Sequence, residues 1–187
     1  IGRQHTVQQT IDSFKLAREI GFDNINMDLI VGLPGESYDD VEHTMKELEA
    51  MAPDSVTVHS LAIKRAARLS LFKDKYEEMG LENNMQIMDM TARYCAEMGL
   101  SPYYLYRQKN MAGNFENVGY SLPGKACIYN ILIMEEMQTI AACGAGTTTK
   151  VVFPSENRRE RCENVKEVEQ YISRIDEMIG RKEKIIH

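Results

Sequence analysis

The sequence predicts an α/β fold from three observations: an apolar strand ending in a glycine and proline turn, a capped amphipathic helix directly after it, and a second strand complete by residue 62. Asn24 to Val31 holds Ile25, Met27, Leu29, Ile30 and Val31 and runs into Gly32-Leu33-Pro34-Gly35, the composition of a strand buried on both faces and then a turn. Ser37 suits an N-cap for a helix that carries Val41, Met45 and Leu48 inward and is closed by Pro53. Ser55 to Ala62 reads as the second strand. Strand, helix and strand in this order make a βαβ unit, whose strands are parallel and whose crossover is right-handed. Two strands alone form no stable parallel sheet, so the unit is expected to belong to a larger sheet or barrel, with the missing strands before Ile1.

The other elements follow in order. Thr6 and Gln9 have capping-box spacing, and Val7, Ile11, Phe14, Ala17 and Ile20 recur at helical intervals until Gly21, predicting a first helix over 7–20. Asn83 or Asn84 opens a helix with Met88, Ala92 and Cys95 in register, ended by Gly99. Tyr103 to Tyr106 reads as a strand. Lys109 to Gly124, rich in Asn, Gly and aromatic residues, is expected to be irregular and near a ligand. Thr147 to Phe153 favours strand, and a last helix over 164–179 aligns Val165, Val168, Ile172, Ile175 and Ile179.

Composition narrows the function. The 187 residues are 43% hydrophobic and 27% charged, the balance of an ordinary globular protein rather than a disordered one. Ile1 to Thr6 lack a basic-then-apolar leader, and no apolar run approaches the roughly 20 residues of a membrane span, so a cytoplasmic protein is expected. A net charge of −6 without a long basic tract argues against nucleic acid as the main partner. Cys95, Cys127, Cys143 and Cys162 contain no CxxC pair and no close His partner, so no metal site is expected here and the thiols read as reduced and mostly buried.

Some residues stand out against this background. Asp28 interrupts an apolar strand, where an unpaired carboxylate would cost several kcal/mol, so a partner is expected. That partner is either structural, an ion pair or a neighbouring loop that the carboxylate caps, or a set of ligand hydroxyls at the C-terminal end of a barrel strand. Gly32 to Glu36 suits a βα turn whose glycines supply unusual backbone angles. Cys143-Gly144-Ala145-Gly146-Thr147-Thr148-Thr149-Lys150 lacks the Gly-Lys-Ser/Thr order of a phosphate loop, since Val151 follows Lys150, which excludes nucleotide hydrolysis. Its glycines instead suit close backbone approach. Lys64, Arg65 and Arg68 follow the second strand, with Arg107 and Lys109 from the aromatic segment; they form either a solvated basic face or a seat for an acidic ligand. Tyr103, Tyr104, Tyr106 and Tyr120 serve equally as core or as a flat platform.

Taken together, Ile1-Gly2-Arg3-Gln4-His5-Thr6, the string Asn26-Met27-Asp28-Leu29-Ile30-Val31-Gly32-Leu33-Pro34-Gly35-Glu36 and Gly144-Ala145-Gly146 resemble the oxygen-independent coproporphyrinogen III dehydrogenase family of radical S-adenosylmethionine proteins. Tyr103 to Tyr120 resembles its HemZ branch. Related haem chaperones carry a Tyr-Glu-Ile-Ser-Asn-Phe-like string there, from which this sequence departs while keeping a similar Pro123-Gly124 and Tyr129-Asn130 context.

The resemblance implies the C-terminal part of an incomplete parallel (β/α) radical-SAM barrel over 1–70, followed by a family-specific α+β region over 71–187. It implies S-adenosylmethionine as cofactor, with Arg3 at its carboxylate, Asp28 at its ribose hydroxyls and the backbone around Ala62 at its adenine. A [4Fe-4S] cluster is implied on a CxxxCxxC loop upstream. The implied reaction is oxidative decarboxylation of two propionates of coproporphyrinogen III, giving protoporphyrinogen IX in haem biosynthesis, with an unidentified electron donor and acceptor. Tyr104, Tyr106, Arg107, Lys64, Arg65 and Arg68 are the expected tetrapyrrole contacts. The alternative within the superfamily is a haem chaperone that delivers haem without turnover.

Overall fold

The computed structural model describes residues 4–62, 83–106 and 115–186. Residues 1–127 and 128–187 form two compact units.

In the first unit, α1 (Val7–Glu19) starts at Thr6, whose side chain accepts from the Gln9 amide while Gln9 bonds back to the Thr6 amide. β1 (Asn26–Val31), α2 (Tyr38–Met51) and β2 (Ser55–Ser60) form the expected βαβ unit, and β1 and β2 pair in parallel from Asn26↔Ser55 to Val31↔Ser60. A second capping box, between Ser37 and Asp40, starts α2, which buries Val41, Met45 and Leu48. Gly32 and Gly35 in the connecting turn have φ of 82° and 76°, angles that glycine adopts without a Cβ penalty.

α3 (Met85–Glu97) begins at Asn84, whose side chain accepts from the Ile87 amide, and buries Ile87, Met90, Thr91, Tyr94 and Cys95. β3 (Ser101–Tyr106) and β4 (Asn117–Ser121) complete a sheet of order β1-β2-β4-β3, with β4 antiparallel to both neighbours. The expectation of irregular chain between Lys109 and Gly124 is therefore corrected at 117–121. Val118, Tyr120 and Ser121 pair with Val58, Val56 and Ser55, and these ladder bonds outweigh the low strand propensity of Asn117 and Gly119.

Leu29 and Val31, Val56 and Val58, and Tyr120 form one core with the buried faces of α2 and α3. β1 is not buried on both faces as its apolar run suggested: Asn26 and Asp28 are exposed, and among the described residues the helices cover the Leu29 and Val31 side. Arg18 fixes the end of α1 by an ion pair of 2.6 Å with the buried Asp54, which also accepts from the Ile25 amide at 2.8 Å.

The second unit contains α4 (Ile128–Met134) and an antiparallel pair, β5 (Thr148–Phe153) and β6 (Arg158–Glu163), joined by a 3-10 turn over Pro154–Glu156. It ends in α5 (Val168–Ser173) and α6 (Ile175–Ile186). The single final helix expected over 164–179 is thus two helices. Arg174 leaves helical geometry at φ −115° and ψ 27°, and its guanidinium turns to Glu177 at 2.8 and 3.0 Å. A hydrophobic stripe stays on one face only along a continuous axis. After the break Met178 is buried, whereas Val168, Ile172, Ile175 and Ile179 are exposed. Cys95 and Cys162 are buried but Cys127 and Cys143 are exposed, which corrects the expectation of mostly buried thiols: the latter two lie in irregular chain outside the strands and helices. No helix among the described residues is long and apolar enough to cross a membrane.

Candidate functional site

The sheet face opposite the helices gathers polar and aromatic side chains from β1, β2 and β3, beside a glycine of β4. Strand register places Asn26 and Asp28 of β1, Thr57 and His59 of β2, Gly119 of β4, and Tyr104 and Tyr106 of β3 on this face. The groups are connected. Thr57 Oγ1 donates to Asn26 Oδ1 at 3.1 Å, and Asn26 Nδ2 donates to Asp28 Oδ1 at 2.7 Å. His59 Nε2 lies 3.6 Å from the same Asp28 oxygen, and Nδ1 of that ring lies 3.3 Å from the Tyr106 hydroxyl. Tyr106 meets the His59 ring edge-on and runs parallel to Tyr104, with centroids 6.2 Å apart and planes 3° apart.

Asp28 escapes the desolvation penalty expected of a carboxylate in an apolar strand because it stands on the open side, with its side chain 63% exposed. Its interaction with His59 is the largest influence holding the carboxyl below the ordinary carboxylate range; partial burial opposes this and Asn26 reinforces it. The group is therefore ionised at neutral pH, a pure acceptor suited to hydroxyl donors.

Gly119 determines where Tyr104 can lie. A Cβ at this position would stand 1.9 Å from the ring, so only glycine lets the tyrosine lie across β4. The Tyr104 hydroxyl thereby reaches Thr57, while burial pushes its pKa up.

Ala62 follows the C-terminal end of β2, where the Leu61 amide donates to the Val31 carbonyl at 2.9 Å and holds the two strand ends together. Near the same end of β1, Glu36 has a buried Oε2 without a hydrogen-bond partner among the described residues, and desolvation raises its pKa. Arg3, Lys64, Arg65, Arg68, Arg107 and Lys109 lie outside the described residues. The structure thus joins Asp28 with Tyr104 and Tyr106, and puts Ala62 at the end of the neighbouring strand.

Sequence reasoning missed Asn26, Thr57, His59 and Gly119. A signal existed for three of them: Ser55, Thr57 and His59 alternate with Val56 and Val58, the period of a strand with one polar face, and in parallel register that face is shared with Asn26 and Asp28. The Gly144 to Gly146 loop belongs to the second unit and has a structural explanation. Its Gly144 carbonyl accepts from Asn164 Nδ2 at 2.8 Å, and its Gly144 amide donates to the Tyr171 hydroxyl at 3.1 Å.

Comparison with known proteins agrees with the resemblance carried by Asn26 to Glu36. The Radical SAM superfamily profile matches residues 1–48. The chain is 45% identical over 186 residues to the oxygen-independent coproporphyrinogen-III oxidase-like protein HemZ of Bacillus subtilis, covering 100% of this chain and 37% of that protein. It is 39% identical over 64 residues to the heme chaperone HemW of the same organism, covering 34% of this chain and 17% of the chaperone. Among solved structures, the radical SAM enzyme coproporphyrinogen III oxidase (HemN) from Escherichia coli superposes with a TM-score of 0.63 over 94% of this chain and 39% of that one, at 18% identity. That likeness is one of fold. The chain spans little more than a third of the length of its HemZ relative. Matched along its whole length by HemZ, over residues 1–48 by the Radical SAM superfamily profile and in fold by HemN, the chain is similar to coproporphyrinogen-III oxidase-like proteins of the radical SAM superfamily.

Proposed function

We propose that the full-length protein is an oxygen-independent coproporphyrinogen III dehydrogenase that acts in the cytoplasm and converts two propionates of its substrate to vinyl groups. The observation that carries this reading is the exposed, ionised Asp28, held by Asn26 and His59 opposite two parallel tyrosine rings. An acceptor-only carboxylate suits the paired hydroxyls of a ribose, and flat aromatic rings suit a tetrapyrrole. The donor set on this face therefore fits S-adenosylmethionine.

In that reading Arg3 forks onto the cofactor's carboxylate, Asp28 accepts from its ribose hydroxyls, and the small Ala62 lets the adenine approach the strand end. Tyr104 and Tyr106 offer the macrocycle an apolar surface. Arg107, with Lys64, Arg65 and Arg68, pairs with the substrate's propionates. Bound S-adenosylmethionine, reduced by a [4Fe-4S] cluster, would supply the radical that abstracts the propionate hydrogen. In that reading the cluster's cysteines lie on a CxxxCxxC loop upstream of this segment, as the resemblance implies. The electron donor and acceptor are separate partners.

A haem chaperone is the second reading, favoured by the similarity to HemW proteins, including one from Lactococcus lactis that is 27% identical over 154 residues. Anaerobic incubation of the full-length protein with S-adenosylmethionine, a reductant and coproporphyrinogen III separates the two. Vinyl product with cofactor cleavage supports the dehydrogenase. Haem transfer to an acceptor without turnover supports the chaperone, and cofactor cleavage with neither outcome points to another substrate.

A further inference from the structure

We propose that His59 is a positioning residue of the cofactor site: Tyr106 fixes its tautomer, and its Nε2–H then orients Asp28 towards the cofactor's hydroxyls. The inference rests on the reading of Asp28 as the hydroxyl acceptor.

One imidazole faces two different groups from two other strands, Asp28 of β1 through Nε2 and Tyr106 of β3 through Nδ1. An ionised carboxylate only accepts, so a lone pair on Nε2 would oppose it, and the favoured neutral ring carries its hydrogen there. Nδ1 is then an acceptor, and the Tyr106 hydroxyl donates to it. The opposite tautomer sets a lone pair against the carboxylate. Direction thus passes from Tyr106 through His59 to Asp28, although Tyr106 and Asp28 lie on opposite edge strands of the four-stranded sheet.

His59 is level with Ile30 in the β1–β2 register, on the face away from the helix-covered core. At 3.6 Å the approach to Asp28 is longer than an optimal hydrogen bond, and contacts of this kind tighten when ligand binds. Asn26 and His59 converge on the one oxygen Oδ1, which restricts the carboxylate's rotation while the side chain stays 63% exposed to a ligand. Groups that orient a ligand-binding side chain commonly matter nearly as much as the side chain itself.

The test is calorimetric titration of the full-length, cluster-reconstituted protein with S-adenosylhomocysteine, which binds without being cleaved. Asp28→Asn should weaken binding at least about 10-fold, and His59→Phe and Tyr106→Phe by about 3- to 10-fold each. His59→Gln, which keeps an N–H donor, should recover affinity to within about twofold, and His59→Phe should add nothing in the Asp28→Asn background. Native affinity in both His59→Phe and Tyr106→Phe, with Asp28→Asn impaired, would overturn the positioning role and leave the cofactor reading standing. An equal loss from His59→Phe with and without Asp28 would also overturn it, since the imidazole would not be acting through the carboxylate. Native affinity in Asp28→Asn would remove the cofactor reading itself, and the inference with it. If His59→Phe lowers the melting temperature, Tyr106→Phe and His59→Gln decide the question, because both preserve side-chain bulk.

Discussion

On its helix-covered face the four-stranded sheet presents Leu29, Val31, Val56, Val58 and Tyr120, and on the opposite face Asp28, Thr57, His59, Tyr104 and Tyr106. Both sets come from the same strands at alternating positions, because successive side chains point to opposite sides. The first set contacts α2 and α3 and has no polar group to satisfy beyond the Tyr120 hydroxyl. The second set satisfies its groups mostly with one another and leaves a carboxylate exposed. One strand pattern thus supports stability on one side and, in the proposed reading, ligand chemistry on the other, so substitutions one residue apart should have effects of different kinds.

The largest expected effect on stability lies on the covered face. Met45 and Ile87 are fully buried, and Met45→Ala or Ile87→Ala should lower unfolding free energy by about 2–5 kcal/mol in denaturant titration. Asp28→Asn on the open face should shift it by less than about 0.5 kcal/mol. Comparable losses at the two places would erase the distinction between the faces.

Gly119 tests the open face's geometry. Gly119→Ala forces the Tyr104 ring away from β4 and should cost about 1–3 kcal/mol, with a change in the aromatic circular dichroism. Adding Tyr104→Ala should recover part of that loss, because the colliding ring is gone. A double variant as unstable as the two losses summed would mean that Gly119 serves the backbone instead.

Smaller differences concern titration. Burial pushes the Cys95 thiol up to about 12, so alkylation near pH 8 should modify the exposed Cys127 and Cys143 well before Cys95 and Cys162, as peptide mapping would show. The Asp28 carboxyl is shifted the other way. A depressed folded pKa contributes stability that is present above the unfolded value of about 4 and lost as pH falls through the lower folded value. Cofactor affinity through this carboxylate should therefore be flat with respect to Asp28 across neutral and mildly acidic pH. A loss specific to Asp28, absent in Asp28→Asn and centred near neutrality, would contradict the ionised assignment.

Much of the covered face was legible in sequence because burial imposes periodicity. The Thr6 and Ser37 caps, the inward Val41, Met45 and Leu48, and the parallel pairing of β1 and β2 all follow from local rules. Asp28 was legible as a polar residue among apolar ones. His59, Thr57 and Gly119 were not, since their roles arise from pairing between strands distant in sequence: β4 enters between β2 and β3, and only there does Gly119 meet Tyr104. β4 itself was obscured by Asn117 and Gly119, whose weak strand propensity is overridden by ladder bonds. The broken final helix was hidden because Ile172 and Ile175 continue a helical spacing across Arg174, where the backbone leaves that geometry.

The central claim, that the open face holds the cofactor through Asp28, is tested most directly by the affinity of S-adenosylmethionine for the full-length protein and its Asp28→Asn variant. Equilibrium binding at matched cluster content should be weaker in the variant by about 10- to 100-fold, the loss expected when charge-assisted hydrogen bonds to the ribose become neutral ones. Melting temperature should be unchanged. Equal affinities in the two proteins would contradict the account and return Asp28 to a structural role beside Asn26 and His59.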